Sequence, residues 1–285
     1  FGEKAVLRIL AAASHVDHAE HFGMDDDSYA RFLPMLNSPN GIIYLTGPTG
    51  SGKSTTLYMV LEYLSRRQVN ISTVEDPVEQ NVPGINQTQV NPVAGLTFES
   101  GLRALLRQDP DIIMVGETRD GETAGISVRA AITGHLVLST LHTNDAVSSV
   151  VRLADMGVDR YLIANSLVGL VAQRLMRKVC PHCARETAVT PQEQALLGRD
   201  IRTVRRGAGC MHCNGTGYRG RVAVHEIVAV DRSIRRMISR GAEAEEIEAY
   251  AREHQGMKSL REKGLELVRE GVTTPEELLR IAYYA

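Results

Sequence analysis

A glycine-rich segment at residues 47–55 limits what this chain can fold into more than any other feature. It fits the P-loop pattern G-x-x-x-x-G-K-[ST], and a short apolar run at residues 42–45 precedes it. Apolar residues at helical spacing follow as far as Arg66, so the segment joins a predicted buried strand to a predicted helix. The sequence therefore predicts a nucleoside triphosphate site formed by Gly47, Pro48, Thr49, Gly50, Ser51, Gly52, Lys53, Ser54 and Thr55.

Each part of this segment has a task in phosphate binding. Glycines allow successive backbone N–H groups to close around phosphate oxygens at the N-terminus of a helix. Lys53 places a positive charge near the outer phosphates, and Ser54 offers a hydroxyl to Mg²⁺. A glycine turn that matched the pattern by chance would lack the strand before it and the helix after it, so we favour the nucleotide site.

Composition and charge set wider bounds. The 285 residues, 43% of them hydrophobic, are enough for a large core and for more than one domain. A formal net charge of -2 gives no general case for nucleic-acid binding, so we expect no nucleic-acid partner. The closest candidate for a membrane span, residues 161–172, is interrupted by Asn165 and Ser166 and reads as a buried helix.

The N-terminus and the cysteines indicate whether the chain is processed and in which compartment it is located. It begins with Phe1 rather than Met and shows no signal peptide, so we expect a fragment or a processed product located in the cytoplasm. All four cysteines lie in two C-x-x-C pairs, which suits a reducing compartment and a bound metal better than disulfides. Residues 1–10 read as a partly alternating strand without an adjacent hairpin partner, and we expect it to close a sheet that begins upstream.

Strands and helices are predicted to alternate from Ile42 to Leu175. Short apolar runs at residues 70–74, 112–115 and 136–140 read as buried strands, with helical spacing between them. The last helix of this series is predicted to span Arg160 to Leu175. This alternation favours an α/β fold with a mainly parallel, doubly wound sheet.

Acidic residues and one histidine directly follow three of these strands. Glu75 and Glu79 follow the first strand, Glu117 follows the second, and His142 follows the third. Because ligands bind at the carboxyl ends of strands in an open α/β sheet, these side chains should face the P-loop. Glu117 is then expected to hold the Mg²⁺ shell, through water, or to position the attacking water. A solvated acidic loop and a purely structural His142 are the alternatives, and for His142 we favour a γ-phosphate contact.

The two cysteine pairs predict a closed, structural Zn²⁺ site. Its ligands are Cys180, Cys183, Cys210 and Cys213, and four thiolates leave no open coordination position for catalysis. The pairs are farther apart than in a usual zinc ribbon, which predicts an inserted helix near residues 190–197, and a redox dithiol is the alternative. Basic residues nearby form either a solvated face or a local anion-binding surface: Arg174, Arg177, Lys178, Arg185, Arg199, Arg202, Arg205, Arg206, Arg219 and Arg221.

Several segments taken together resemble the secretion ATPases. They read GPTGSGKST at residues 47–55, TVEDPVE at 73–79, LRQDPDIIMVGETRD at 106–120, GHLVLSTLHTND at 134–145 and AQRL at 172–175. With the cysteine pairs, they are most similar to the type II secretion and type IV pilus assembly ATPases of that superfamily. The resemblance covers nearly the whole chain and implies a RecA-like core, ATP with Mg²⁺ as the nucleotide, and ring-shaped homo-hexamers.

The resemblance also implies roles and partners. It implies that Glu75 is the catalytic carboxylate, with Glu79 as the runner-up. It implies that arginines of a preceding domain complete the site, and Arg8 is a candidate. It further implies a motor that lies peripherally on the cytoplasmic side of the inner membrane. Its expected partners are the platform and cytoplasmic-face assembly proteins of a secretion or pilus machine, and acidic phospholipid.

Four units follow from this reading. Residues 1–37 are expected to end an upstream domain and its linker, and 38–176 to form the ATPase core. Residues 177–228 are expected to form the zinc module, and 229–285 a helical C-terminal region with a helix start at Thr274-Pro275. The alternatives to a secretion or assembly motor are a helicase or DNA translocase, a nucleotide-operated switch, and a pilus retraction motor. The retraction motors that the chain resembles usually lack the cysteine insert.

Overall fold

A mainly parallel sheet with helices on both faces forms the centre of the molecule. The computed structural model describes residues 19–198 and 200–282. In chain order the strands are β1 (Gly41–Thr46), β2 (Ile71–Glu75), β3 (Asn86–Gln89), β4 (Ile112–Val115), β5 (Leu136–Leu141), β6 (Leu167–Val179), β7 (Ala184–Ala188), β8 (Thr203–Gly207) and β9 (Tyr218–Ala229). The α-helices are α1 (Asp26–Leu36), α2 (Lys53–Ser65), α3 (Phe98–Leu105), α4 (Gly121–Ile132), α5 (Ser148–Asp155), α6 (Arg160–Ser166), α7 (Pro191–Leu197), α8 (Arg232–Arg240), α9 (Ala244–Gln255), α10 (Leu260–Arg269) and α11 (Pro275–Ala282).

Seven strands lie side by side in the order β3-β2-β4-β5-β1-β6-β9. Neighbouring strands from β3 to β6 are all parallel, and β9 at the far edge runs antiparallel to β6. The predicted α/β fold with a mainly parallel sheet is confirmed. Because β1 lies between β5 and β6, the P-loop that follows β1 is placed between the carboxyl end of β5 and the middle of the longer β6.

Both faces of the sheet are covered, as the all-buried strand β1 shows. Ile42 and Tyr44 pack into one apolar cluster with residues of α4 and α6. Ile43 and Leu45 pack into a second cluster with residues of α1 and α2. Successive side chains of a strand point to opposite faces, so a continuous apolar run is what a parallel strand covered on both sides requires.

The predicted helix from Arg160 to Leu175 is wrong beyond Ser166. Helix α6 ends there, and Leu167 begins the long strand β6, which pairs with both β1 and β9. Periodicity alone cannot distinguish a buried helix from a strand that is covered on both faces. Gly169 allows helix α1 to pack directly on this strand, because a Cβ atom at that position would lie 2.2 Å from the sulfur of Met35.

Two strands of the sheet carry too little sequence signal to be predicted. β3 reads Asn-Gln-Thr-Gln, and β9 begins with Tyr218 followed by an exposed Arg-Gly-Arg segment. Residues 180–217, between β6 and β9, lie outside the large sheet and contain the β7–β8 pair and α7, the predicted inserted helix. The predicted module at 177–228 therefore includes an edge strand of the central sheet, and the division into four units stays a prediction.

The C-terminal region is helical, as predicted, with α8 to α11 following β9. Helix α11 begins at Pro275, at the predicted start. Its Glu277 carboxylate accepts hydrogen bonds from the backbone N–H and the guanidinium of Arg177 on β6, both at 2.8 Å, and so attaches the last helix to the sheet. The strand predicted at residues 1–10, with Arg8, lies outside the described residues.

Candidate functional site

The P-loop joins the end of β1 to the start of α2 and leaves little room for side chains. Gly47 has a φ of +146°, and a Cβ atom there would lie 2.6 Å from the carbonyl oxygen of Gln173 and 2.7 Å from Ser51 Oγ. Gly50 and Gly52 adopt φ angles of +81° and +90°, a region in which glycine carries no steric cost. Backbone conformation and close packing therefore both require the glycines of the pattern.

Lys53, the first residue of α2, is almost fully buried. Its Nζ atom donates to the carbonyl oxygen of Gly47 at 2.6 Å and to that of Pro48 at 3.1 Å. Burial, together with the nearby guanidinium of Arg174, lowers the pKa of Lys53 to about 8, although the Glu117 carboxylate acts in the opposite direction. The ammonium group thus lies against the loop, where an anion would be a stronger acceptor than either carbonyl.

Polar groups of β6 lie beside the loop. Gln173 donates to the carbonyl oxygen of Ser51 at 3.0 Å and accepts from Thr56 Oγ1 at 3.0 Å. Arg174 donates to the carbonyl oxygen of Asn144 at 2.6 Å. Among the described residues, Arg174 Nε and Ser51 Oγ are buried without a hydrogen-bond partner. Such atoms cost about 1–3 kcal/mol each when unpaired, so this surface fits a ligand rich in oxygen, such as a phosphate.

Arg174 does not belong to the basic surface in which the sequence analysis placed it. Only 4% of its surface is exposed. The parallel pairing of β6 with β1 sets Ala172 opposite Thr46 at the start of the P-loop, and Arg174 follows two residues later. Its position depends on a strand register that no local pattern reveals.

Glu75 ends β2 and is buried in a network of donors. Its carboxylate accepts from the Tyr58 hydroxyl, from Thr73 Oγ1 at 2.5 Å and from Gln87 Nε2 at 3.0 Å. The same Tyr58 hydroxyl accepts the backbone N–H of Glu79 at 2.9 Å. Burial and the Glu75 carboxylate raise the pKa of Tyr58, which keeps its proton in this bond. Tyr58 therefore connects helix α2 to Glu75 and to the acidic loop after β2, which carries Glu79.

Glu79 is the carboxylate that reaches the P-loop serine. Its Oε1 atom accepts from Ser54 Oγ at 3.4 Å, and both side chains are accessible to solvent. Hard oxygen donors of this kind are the ligands that Mg²⁺ prefers. Ser54 and Glu79 therefore fit a magnesium ion at the start of α2, whereas Glu75 is shielded behind Tyr58.

The segments that follow β4 and β5 bring Glu117 and His142 together. Glu117 Oε2 lies 3.3 Å from His142 Nε2, and Glu117 also forms an ion pair with Arg119. Arg119 in turn lies 3.8 Å from Asp76, in the loop after β2. The predicted meeting of these strand ends at one edge is thus observed, with an added arginine between the acidic groups.

Three contributors lack an assigned role in the sequence analysis. Tyr58 lies one helical turn after Ser54, a spacing that places both on one face of α2. Gln173 belongs to the AQRL segment, and Arg119 directly follows the predicted Glu117. Their positions in or near the motifs could have indicated that these three residues belong to the site. The partner of each side chain, however, depends on tertiary contacts.

A cavity of about 730 Å³ adjoins the P-loop. The start of α2 contributes Thr55 and Met59, β6 contributes Leu175, and β9 contributes Val222 and Val224. Helix α10 forms another part of its wall. Its lining combines apolar side chains with charged side chains from α1, β9 and α10, so it suits an organic ligand that carries polar groups. The cavity reaches the P-loop at Gly52 and Thr55.

The four cysteines form a compact cluster whose sulfur atoms all lie within 4.8 Å of one another. Sulfur distances are 3.9 Å for Cys180–Cys210, 3.8 Å for Cys183–Cys213 and 3.7 Å for Cys210–Cys213. Zn–S bonds of roughly 2.3 Å in a tetrahedron place sulfur atoms about 3.8 Å apart, so the donor set fits zinc. Burial alone would raise the pKa of Cys213, but the N–H groups of Cys210 and Gly217 lower it to about 6, which favours the thiolate.

Comparison with known proteins places these features in a family. Residues 1–280 match the family described as type II/IV secretion system protein. The chain is 51% identical over 284 residues to the type IV pilus assembly ATPase PilB of Thermus thermophilus. The aligned region covers 98% of this chain and 32% of that protein. It is 45% identical over 284 residues to the type II secretion system protein E of Aeromonas hydrophila, covering 99% of this chain and 56% of that protein. The chain thus spans about a third to just over half the length of these relatives.

The fold is similar to that of the pilus retraction motor PilT with bound ADP. The TM-score is 0.71 at 28% sequence identity, and the match covers 96% of this chain and 68% of that chain. The DotB ATPase of Legionella pneumophila has a similar fold, with a TM-score of 0.65 at 24% identity, covering 90% of this chain and 63% of that chain. Within residues 19–198 and 200–282, no helix has the length and apolar character needed to cross a membrane.

Proposed function

The chain belongs to the type II/IV secretion system protein family, and from this we propose that it is the ATP-hydrolysing part of a motor for type II secretion or type IV pilus assembly. One observation carries the proposal: the P-loop and the adjacent Arg174 of β6, each with an unpaired buried donor, lie at the sheet edge that also holds Glu117 and His142. The two relatives described above carry names from secretion and pilus assembly.

In this proposal the P-loop residues bind the phosphates. Backbone N–H groups of the loop that have no acceptor in the protein close around phosphate oxygens, and Lys53 exchanges its two carbonyl acceptors for an outer phosphate. Ser54 and Glu79 would hold Mg²⁺, which neutralises charge on the phosphates when it is bound. Thr55 borders the cavity that would receive the nucleoside.

Four side chains are proposed to act at the reacting end. Glu117 orients the attacking water, and His142, beside it, contacts the γ-phosphate. Glu75 remains the proposed catalytic carboxylate and Glu79 the second candidate. The Tyr58 hydrogen bond supports an influence of Glu75 on the acidic loop, because that hydroxyl also holds the Glu79 backbone.

Isosteric substitutions test these roles. We expect Glu75→Gln and Glu117→Gln to bind ATP with unchanged affinity and to lose roughly 10²–10⁴ in turnover, the usual share of a positioned acid or base. ATP affinity and hydrolysis rate are measured separately, with Glu248→Gln on the exposed side of α9 as the control. Near-normal turnover in both variants would remove these carboxylates from the mechanism, and lost binding in both would make them structural.

The lowered pKa of Lys53 predicts that nucleotide affinity falls as the pH rises above about 8. Below this pH the amine already carries its proton. Above it, the amine must take up a proton when phosphate binds, which costs about tenfold in affinity per pH unit. Equilibrium binding of Mg-ADP between pH 7.5 and 9.5 measures the slope. Lys53→Arg stays charged over this range and should give a flat profile, and an equally flat wild-type profile would contradict the prediction.

Two observations favour the proposed motor over a pilus retraction motor. The chain is 51% and 45% identical to named assembly and secretion proteins but 28% identical to the retraction motor. The cysteine cluster also supports the assembly and secretion branch. A helicase or translocase would show DNA-stimulated hydrolysis with a strong salt dependence, and a binding switch would show negligible turnover in the assembled ring.

The finer partners are also proposals. We place the motor as a homo-hexamer on the cytoplasmic side of the inner membrane, acting on the platform and assembly proteins of its machine. A cleft of about 390 Å³ near the cysteine module supports binding of acidic phospholipid, because three basic residues line it (Lys178, Arg205 and Arg219) against one acidic residue, Glu270. Vesicles of phosphatidylglycerol should bind the chain more tightly than vesicles of phosphatidylcholine, and equal binding would contradict this assignment.

For the cysteine cluster we propose a structural Zn²⁺.

A further inference from the structure

A buried carboxylate on β9 connects two elements that are distant in the sequence. Glu226 is 5% exposed. Its Oε1 atom accepts the backbone N–H of Ala146 at 2.9 Å, and its Oε2 atom accepts the backbone N–H of Leu260 at 3.4 Å. A carboxylate can accept at both oxygens at once, so this one residue serves two backbone donors.

The first donor belongs to the segment that carries His142. Residues 142–147 connect β5 to α5, and Ala146 lies four residues after His142. The same segment is held by Arg174, which donates to the carbonyl oxygen of Asn144 at 2.6 Å. On the β6–β9 pair Glu226 is opposite Ala172, two residues before Arg174, so both charged side chains emerge from the same face. The segment therefore lies between a cation and an anion of this strand pair.

The second donor is the first residue of α10. N-terminal N–H groups of a helix have no partner within the helix, so the amide of Leu260 depends on Glu226. Lys263 and Leu267 of this helix line the large cavity next to the P-loop, together with Gly52 and Thr55. The helix thus borders the proposed nucleoside side of the site, while its N-terminus is bound to the carboxylate that holds the segment of His142.

The ionised form of Glu226 is disfavoured at this buried position. Burial, together with the negative charges of Asp145 and Glu248, raises the pKa of Glu226 to about 7, although the two backbone donors act against the rise. The negative charge of Glu226 in turn favours the protonated form of Arg174 on β6. A buried acid of this kind is maintained by its hydrogen bonds rather than by packing.

We propose that Glu226 is a positioning residue that couples the segment at 142–147 to the N-terminus of α10. When His142 moves toward a bound phosphate, the shared carboxylate carries the shift to α10. The inference rests on the proposed nucleotide site. It assigns the route by which the phosphate end of that site affects the C-terminal helices.

Hydrogen exchange of the chain tests the coupling directly. It is measured on peptides that cover the P-loop, residues 142–147 and the start of α10, without and with Mg²⁺ and a non-hydrolysable ATP analogue. In the wild type we expect the analogue to slow exchange in all three. In Glu226→Gln one oxygen remains as acceptor and should keep the shorter bond to Ala146, while the amide nitrogen cannot accept the N–H of Leu260, so the start of α10 should exchange roughly tenfold faster. There the response to the analogue should disappear, while the P-loop still responds.

Two further variants separate positioning from general stability. Glu277→Gln changes another buried carboxylate, which accepts the backbone N–H of Arg177 at 2.8 Å, and it should leave the response at α10 intact. Glu226→Asp keeps the charge and should restore part of the response. If Glu226→Gln speeds exchange at α10 but keeps the response to the analogue, the residue is only structural and the coupling is wrong.

The wild type distinguishes the two proposals. Protection of the P-loop by the analogue without any change at the start of α10 would overturn the coupling and leave the nucleotide site standing. Absence of protection at residues 47–54 would overturn the nucleotide site, and the coupling with it.

Discussion

Lys53→Ala should give a folded chain whose ATP hydrolysis falls at least roughly a thousandfold and whose nucleotide affinity falls roughly 10–100-fold. Lys53 is the cation that lies against the P-loop, and without it the outer phosphates lose their fixed positive charge. The larger loss falls on turnover, because negative charge shifts further onto the outer oxygens as the terminal phosphoryl group departs. ATP binding by calorimetry and phosphate release in the same buffer measure the two effects.

The fold should survive this substitution. The native site holds a buried ammonium whose pKa is lowered to about 8, chiefly by burial, so removing the charge relieves a cost instead of creating one. Thermal unfolding of Lys53→Ala should therefore occur at or above the wild-type temperature. Arg240→Ala, which removes an exposed cation paired with Glu246 on the surface, is the control and should keep full turnover. Turnover of Lys53→Ala within about tenfold of the wild type would show that the P-loop is not the phosphate site.

The parts of the site that the sequence predicted are those whose geometry follows from chain order alone. A P-loop between strand and helix fixes where Lys53 and Ser54 lie, because both are on the first turn of α2. Glu117 and His142 follow buried strands, and parallel strands bring their carboxyl ends to one edge. These positions need only the connection between neighbouring elements, and local patterns carry that information.

The parts that the sequence did not predict depend on which strands pair. Residues 167–172 are apolar on both faces, so their pattern fits a helix as well as a strand, and the pairing of β6 with β1 decides. That pairing places Arg174 at the P-loop. Glu75 is a similar case: its place at the end of β2 follows from the motif, but its hydrogen bond with the Tyr58 hydroxyl depends on where α2 lies relative to that strand. Both outcomes depend on side chains that are far apart in the sequence.

Replacing any one zinc-cluster cysteine by serine should remove the metal and unfold only the module. We expect one Zn²⁺ per wild-type chain, held by Cys180, Cys183, Cys210 and Cys213, whose sulfur atoms already have tetrahedral spacing. Elemental analysis after dialysis against a weak chelator should give a ratio near zero for Cys213→Ser. His182→Ala, in the turn of the other cysteine pair, is the control within the same module. Its ring stacks on that of His212 at 4.0 Å, outside the sulfur cluster, so this variant should keep its zinc.

The unfolding should stay local because metal binding contributes folding free energy only to the unit that it closes. Residues 180–217 are inserted between β6 and β9, and these strands remain paired from Gly169 with Ala229 to Val179 with Tyr218. The sheet that carries the P-loop therefore does not need the module to form. Limited proteolysis of Cys213→Ser should cut within residues 180–217 and leave nucleotide affinity within about twofold of the wild type. Loss of nucleotide binding in the serine variant would show that the module supports the site. Substoichiometric metal with a disulfide between the pairs under reducing conditions would instead favour the redox dithiol.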